Sequence, residues 1–371
     1  MSFAAGKIHF DIAGNEKYAS YFKDIFNLIE TDKDPDLVFE FVKTLPPLND
    51  SSTVKLDDFI IAEKSITHRE KLFNYRIDWS CVPVKVLVSP RKFDFFRQTQ
   101  KTLNKNWRYF HTHGTSGFLH FFKRFVFYIY VPAMQLYLLN KGTSFTHCSA
   151  IQKSGEAALF PAWGGVGKTG LMSLFLSQGW QFLSDDLGIL CDDGSICLHP
   201  LPMHIYKYHQ IQSPELVENM LRQSTLLERI TWNLLGPIKK PNKLVRWVKP
   251  NVVFGKDTIC KSSKIRIVVH MHRHSVDSEF IFEESNNRSV AALMASTILD
   301  EINNIANYSI VYNSVRQSDF IPNISQMYKI ITTIYAQAMQ KAICYKLSIP
   351  EASTTSDAFN FLNKKGIFPS S

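Results

Sequence analysis

Apolar and polar residues first alternate in short runs. Leu37–Val42, Phe59–Ala62, Phe73–Trp79 and Val82–Val88 are rich in β-branched and aromatic residues, and Pro46-Pro47, Asn49-Asp50 and Ser89-Pro90 punctuate them. That pattern predicts short strands. From 117 to 139 the chain turns helical, and at Gly142 the strand character resumes. Ser144–Ile151 and Glu156–Pro161 flank the turn Lys153-Ser154-Gly155 and predict a hairpin. Centring that hairpin on Ser154 sets His147 opposite Pro161, and a slip of one residue would turn it to the other face.

Further on, Thr169–Leu176 predicts a helix stopped by Gly179, and Trp180–Leu183 a strand that ends in Ser184-Asp185-Asp186. Leu187–Cys191 continues as strand into the turn Asp192-Asp193-Gly194. A helix is predicted over 213–235, with Pro214 suited to its first turn. Ile265–Met271 and Glu279–Phe282 read as another strand pair. Ser289–Ile305 and Gln326–Ala342 read as helices, Cys344–Ser348 as a strand, and Thr355–Asn363 as a last short helix. The pattern therefore predicts a mixed α/β chain, with a β-rich region over 1–115 and an α/β domain over 116–371.

Composition narrows the class. The chain has 371 residues, 45% of them hydrophobic and 20% charged, which describes an ordinary folded protein. Its net charge of +9 favours anionic ligands without naming one. Phe118–Leu139 is apolar enough to need a membrane check. His120, Lys123, Arg124, Pro132 and Gln135 break it into runs far shorter than the roughly 20 residues of a span, so a buried helix is expected. Six scattered cysteines with no C-x-x-C pair argue against a zinc ribbon or a disulfide framework and fit a reducing cytoplasm. The N-terminus lacks the apolar core of a signal peptide. His111, His113 and His120 lie close in sequence but have no zinc-site spacing.

The chemistry is concentrated at Ala158–Gly170. An apolar run ends in a glycine-rich turn, and Lys168-Thr169 opens a helix. Gly164, Gly165, Val166, Gly167, Lys168, Thr169 and Gly170 form a candidate nucleotide cradle. Glycines allow backbone N–H groups to converge on phosphate, the lysine reaches the β/γ-phosphates, and the threonine hydroxyl suits magnesium. Ala162 stands where the strict pattern has its first glycine. Asp185 and Asp186 follow shortly. Neighbouring carboxylates can divide roles between metal and proton, but on a regular strand they point to opposite faces and need a local bend to serve one site. The basic stretch Lys239, Lys240, Lys243, Arg246 and Lys249, with Trp247, reads equally as a clamp on an anionic acceptor and as a solvated loop.

The segment from His147 to Leu190 resembles the P-loop core shared by HPr kinase/phosphorylase and phosphoenolpyruvate carboxykinase. Gly165-Val-Gly-Lys-Thr169, Gly179 and Asp185-Asp186 follow the kinase pattern, while His147-Cys-Ser-Ala150 is similar to the carboxykinases. The resemblance implies a phosphoenolpyruvate-carboxykinase/HPr-kinase-like α/β fold that uses ATP and Mg2+. By it, Lys168 contacts the phosphates, Thr169 and Asp186 serve the metal, Asp185 is the general base, and His147 borders the phosphates or metal. The kinase's proline- and glycine-containing signature and the carboxykinase's arginine motif are both absent, which implies a different acceptor. Because HPr kinases assemble into rings, a homo-oligomer is also implied.

The expected function is a cytoplasmic kinase that moves the γ-phosphate of ATP to a hydroxyl, either a serine of a protein or peptide or an alcohol of a small molecule or sugar. No nucleic-acid partner is expected. The alternatives are a nucleotide-binding regulator or pseudokinase, suggested by Ala162, and a carboxykinase-like lyase, suggested by His-Cys-Ser-Ala.

Overall fold

A computed structural model describes residues 2–26, 29–48, 52–91, 117–199, 201–235, 244–275 and 279–368. His111, His113, Lys239, Lys240 and Lys243 lie outside them, and His120 is described in its backbone alone. The chain forms two compact units that are not consecutive. One gathers the N-terminal residues with 117–142 and 299–330; the other gathers 143–298 and the chain from 331 onward. A single boundary at 115/116 does not separate them, because the helical segment 117–142 belongs with the N-terminal sheet.

The first unit is built on nine strands: β1 Ser2–Ala5, β2 Ile8–Gly14, β3 Ile29–Thr31, β4 Leu37–Phe41, β5 Val54–Leu56, β6 Phe59–Ala62, β7 Ser65–Arg69, β8 Phe73–Asp78 and β9 Val84–Pro90. Their order is β3-β1-β2-β4-β9-β8-β7-β6-β5, with β2, β4 and β9 parallel and the other pairs antiparallel. The apolar segment checked against a membrane is a core element. It runs as α-helix Gly117–Phe125, a π-helical turn Val126–Tyr130 and α-helix Val131–Leu139, and every residue of the last is buried. Phe22, Phe26, Phe122 and Tyr130 form one aromatic cluster in that core. Among the described residues, no helix is long and apolar enough to cross a membrane.

The second unit holds β10 Thr143–Lys153, β11 Glu156–Pro161, β12 Gln181–Ser184, β13 Leu187–Cys191, β14 Ser195–Cys197, β15 Met203–Tyr206, β16 Val245–Val248, β17 Ser262–His274, β18 Ile281–Ser285 and β19 Ile343–Pro350. The main sheet runs β11-β10-β13-β14-β17-β19-β18, and β11 also pairs with β17, so five of its strands close a ring of pairings. β15 and β16 form a separate two-stranded antiparallel sheet.

Three sequence expectations are corrected. β17 and β18 do not pair with each other, because β19 lies between them, parallel to the first and antiparallel to the second. The helix expected over 213–235 is divided into Pro214–Arg222 and Leu226–Leu235, with a short turn of helix His209–Gln212 ahead of them. The last break follows from chemistry visible at Thr225. Its backbone N–H donates to the Glu228 carboxylate at 2.8 Å, and Glu228 N–H donates back to Thr225 Oγ1 at 3.3 Å, a capping box that starts a new helix. Likewise the helix expected over 289–305 ends at Glu301, and a separate one spans Asn304–Asn313.

Candidate functional site

The β10–β11 hairpin sets the frame. Ser154 and Gly155 both have positive φ, 53° and 84°, so the turn holds two residues rather than three. Lys153 therefore faces Glu156, and Cys148, not His147, lies opposite Pro161. His147 falls one position beyond the hairpin ladder and pairs instead with Leu187 of β13. It shares a face of β10 with Ser149, which is the face that carries the chemistry.

Beyond Pro161, the buried Ala162 forms a lone bridge with Met271 of β17. The chain then turns through Trp163–Gly167 into helix Lys168–Leu176. Within the turn the positive φ values belong to Gly165 at 82° and Gly167 at 113°, and Ala162 is not among the positive-φ residues. Alanine thus meets no left-handed strain where the strict motif has glycine. Gly170 is needed for another reason: a Cβ there would stand 2.6 Å from Ser213 Oγ.

Lys168 is buried, and its ammonium donates to His147 Nε2 at 2.8 Å, Ala162 O at 2.9 Å and Trp163 O at 3.0 Å. These acceptors match its three protons. Burial, and then the Lys168 charge, push the His147 imidazole down to about 4 against an opposing pull from Asp186. His147 is therefore neutral. Because its Nε2 accepts from the ammonium, its proton sits on Nδ1.

Asp185 and Asp186 occupy the junction between β12 and β13. Asp186 has φ 64°, and Leu187 N–H donates to Asp185 O at 2.9 Å, which tightens the chain there. This is the local bend that two adjacent carboxylates need to serve one site. Asp185 is buried and accepts from Ser149 Oγ at 2.7 Å and Thr169 Oγ1 at 3.0 Å. Burial, with Asp186 beside it, raises its carboxyl to about 6 in spite of those hydroxyls and Lys168. Asp186 moves the other way. Burial alone would raise it, but the His204 ring, whose Nδ1 lies 2.7 Å from Oδ2, together with His147 and Lys168, holds it well below the usual carboxylate range.

The five candidates His147, Lys168, Thr169, Asp185 and Asp186 thus come together at one site, the charged groups within electrostatic reach of one another and Thr169 bonded to Asp185. One expected pair is not in contact: the Thr169 hydroxyl bonds Asp185, while Asp186 bonds His204. Of the basic stretch, Arg246 is buried and donates to Glu228 O at 3.3 Å, so it is no free clamp. Trp247 faces His204 across the β15–β16 pair, with ring centroids 4.9 Å apart.

Sequence reasoning missed three residues. Ser149 stood inside a quoted tetrapeptide but was given no role. His204 belongs to no motif and reaches the site only through the fold. Arg273 on β17 ties down the glycine-rich turn: its Nε donates to Val166 O at 3.2 Å, and its Nη1 lies 2.9–3.2 Å from the carbonyls of Pro350, Glu351 and Ser353. No period or spacing marks an isolated arginine some hundred residues from its target.

Thr169, Asp185 and Asp186 offer only hard oxygen donors, the set that magnesium prefers. Among the described residues, no group of three or more His, Cys, Asp or Glu could hold a metal by itself.

No known family and no curated protein matches the chain. Among solved structures, the HPr(Ser) kinase/phosphatase from Coxiella burnetii is similar over 60% of this chain and 97% of that chain, at 8% identity and a TM-score of 0.29. The likeness is distant.

Proposed function

We propose that this chain is an ATP- and magnesium-dependent phosphotransferase with an HPr-kinase-like P-loop core, which moves the γ-phosphate to a hydroxyl acceptor. One observation carries the reading. A buried carboxylate raised to about 6 already accepts two hydroxyl hydrogen bonds, from Ser149 and Thr169, next to a loop that buries a lysine at a helix start. Phosphoryl transfer asks a protein to hold phosphates, offset their charge and orient a hydroxyl.

In this reading the N–H groups of 164–170 and Lys168 hold the β/γ-phosphates, and His147 aims the ammonium. Thr169 and Asp186 hold magnesium, which lowers the charge repulsion met by an incoming oxygen. Asp185 takes the proton of the acceptor hydroxyl as its oxygen bonds the γ-phosphorus. The six free cysteines accord with a reducing, cytoplasmic setting.

Incubation of the full chain with labelled ATP, magnesium and a cell extract, followed by mass spectrometry, tests this. A phosphorylated product should appear and fall at least about 10²-fold with Lys168→Ala, the usual loss for a charge-stabilising donor. The same product at the same yield from the variant would sink the assignment.

A regulator that only binds nucleotide is the second reading, and one observation favours it: all three Lys168 protons are already engaged by protein acceptors. Tight ATP binding that survives Asp185→Asn, with no product from the parent chain, would decide for it.

A further inference from the structure

The two-stranded β15–β16 sheet separates two kinds of side chain. Met203, Ile205 and Arg246 are buried, whereas His204, Tyr206, Val245 and Trp247 on the alternate face are only partly so. Three of its four residues carry rings. Tyr206 stacks on Tyr208 at 5.2 Å and 9°, and His204 leans against Trp247 at 4.9 Å and 38°. His204 joins this face to the acidic pair through its bond to Asp186 Oδ2 at 2.7 Å. Trp247 therefore stands one ring away from the Asp186 carboxylate. The charges of Asp186 and Asp185 both reach the Tyr208 hydroxyl, which burial first raises above its ordinary range.

We infer that this aromatic face is the acceptor subsite and that the acceptor is a saccharide, whose ring lies on Trp247 and presents a hydroxyl to Asp185. The inference rests on the phosphotransferase reading. The C–H face of a sugar ring carries slight positive charge and meets the negative face of an indole, while imidazole and phenol groups at the border can bond its remaining hydroxyls. A flexible serine peptide has no comparable flat apolar face. The nucleotide base is the other ring that could stack there, but the two-stranded sheet touches the cluster at Asp186 through His204. That is the carboxylate end, where the transferred phosphate meets its acceptor, and not the far end of the nucleotide. In the transfer, the sugar oxygen forms a bond to the γ-phosphorus as the bond from that phosphorus to the β,γ-bridging oxygen breaks. ADP leaves with the electron pair, and the hydroxyl proton passes to Asp185.

The experiment uses the full chain with ATP and magnesium, a panel of neutral mono- and disaccharides, and a panel of serine-containing peptides. ADP release that depends on a saccharide is expected, with a phosphosugar found by mass spectrometry. Trp247→Ala should raise the saccharide KM about tenfold, the effect of losing one stacked ring, and leave the ATP KM within about twofold. Trp247→Phe, which keeps a ring and spares the fold, should restore most of the difference. Saccharide should also quench an indole signal in the parent chain that Trp247→Phe lacks. Phosphorylation of peptides with no saccharide turnover would overturn the saccharide subsite and leave the kinase reading intact. A rise in ATP KM alone would assign the face to the nucleotide base and overturn the proposal. Absence of ATP binding in every preparation would remove the kinase reading and this inference with it.

Discussion

Asp185 and His147 respond to pH with opposite signs. Asp185 has its folded-state pKa raised from 3.8 to about 6, so folding favours its protonated form. The associated stability is full below the unfolded value and is lost as pH rises through about 6. Asp185→Asn removes that loss while keeping an oxygen for Ser149 and Thr169. At pH 7 the variant should be more stable than the parent, by about 2–3 kcal/mol at most, while phosphate transfer is abolished. Thermal unfolding at pH 7 and pH 5 checks the sign: the gain should shrink at the lower pH. In the parent chain, transfer should fall as pH drops below about 6, because the base becomes protonated. His147, lowered from 6.5 to about 4, stabilises the fold above the unfolded value, and that contribution disappears as pH falls from 6.5 toward 4. His147→Gln should therefore flatten the acid limb of the stability curve. An acid limb in His147→Gln as steep as in the parent chain would contradict it.

At the scale of elements, the site depends on two constraints around the glycine-rich turn. Arg273 joins Val166 O to the carbonyls of 350–353, just before the helix that begins at Thr355. Arg273→Lys keeps the charge but loses the planar fork that reaches several acceptors at once. It should raise the ATP KM by about tenfold, equivalent to about 1.4 kcal/mol, with little change in Tm. An unchanged KM would show that the turn holds itself. Gly170→Ala tests the other constraint. Its added methyl meets Ser213 Oγ at 2.6 Å and Thr355 Oγ1 at 3.2 Å, so a loss of about 1–3 kcal/mol is expected by denaturant titration. Such local features decide how much could be read in advance. The turn and its helix were legible because glycine spacing and a following apolar period are local signals. The Asp185-Asp186 junction was legible as residues, but its bend depends on a left-handed Asp186, which propensity does not foretell. The register of β10 was missed because a two-residue turn and a three-residue turn look alike in Lys-Ser-Gly. His204 and Arg273 were hidden because tertiary pairing alone, β15 with β16 and β17 beside β11, brings them near.

At the scale of the whole molecule, the order of the chain and the grouping of its parts disagree. The residues of the candidate site all lie in the second unit, yet 299–330 interrupts that unit in sequence and belongs to the first. Within the first unit, that segment is tied in deeply. Tyr308 hydrogen-bonds Tyr75, Tyr312 donates to Glu63 O at 2.6 Å, and Phe320 stacks on Trp79 at 4.8 Å. A fragment 143–371 would carry these aromatic residues without the β-sheet partners that cover them. Each large apolar side chain left in water costs about 1.5–3 kcal/mol, and a whole domain holds only about 5–15 kcal/mol in reserve. The fragment should therefore aggregate, even though it contains every proposed phosphate-binding residue. If 299–330 is replaced in it by a flexible linker of about 20 residues, whose typical reach is about 25 Å, the exposed aromatics are gone and the second unit keeps its own core. That shortened fragment should elute as a discrete species in size-exclusion chromatography and gain thermal stability with ATP and magnesium. A well-behaved, ATP-binding 143–371 with the segment still present would show that 299–330 needs no cover from the first unit.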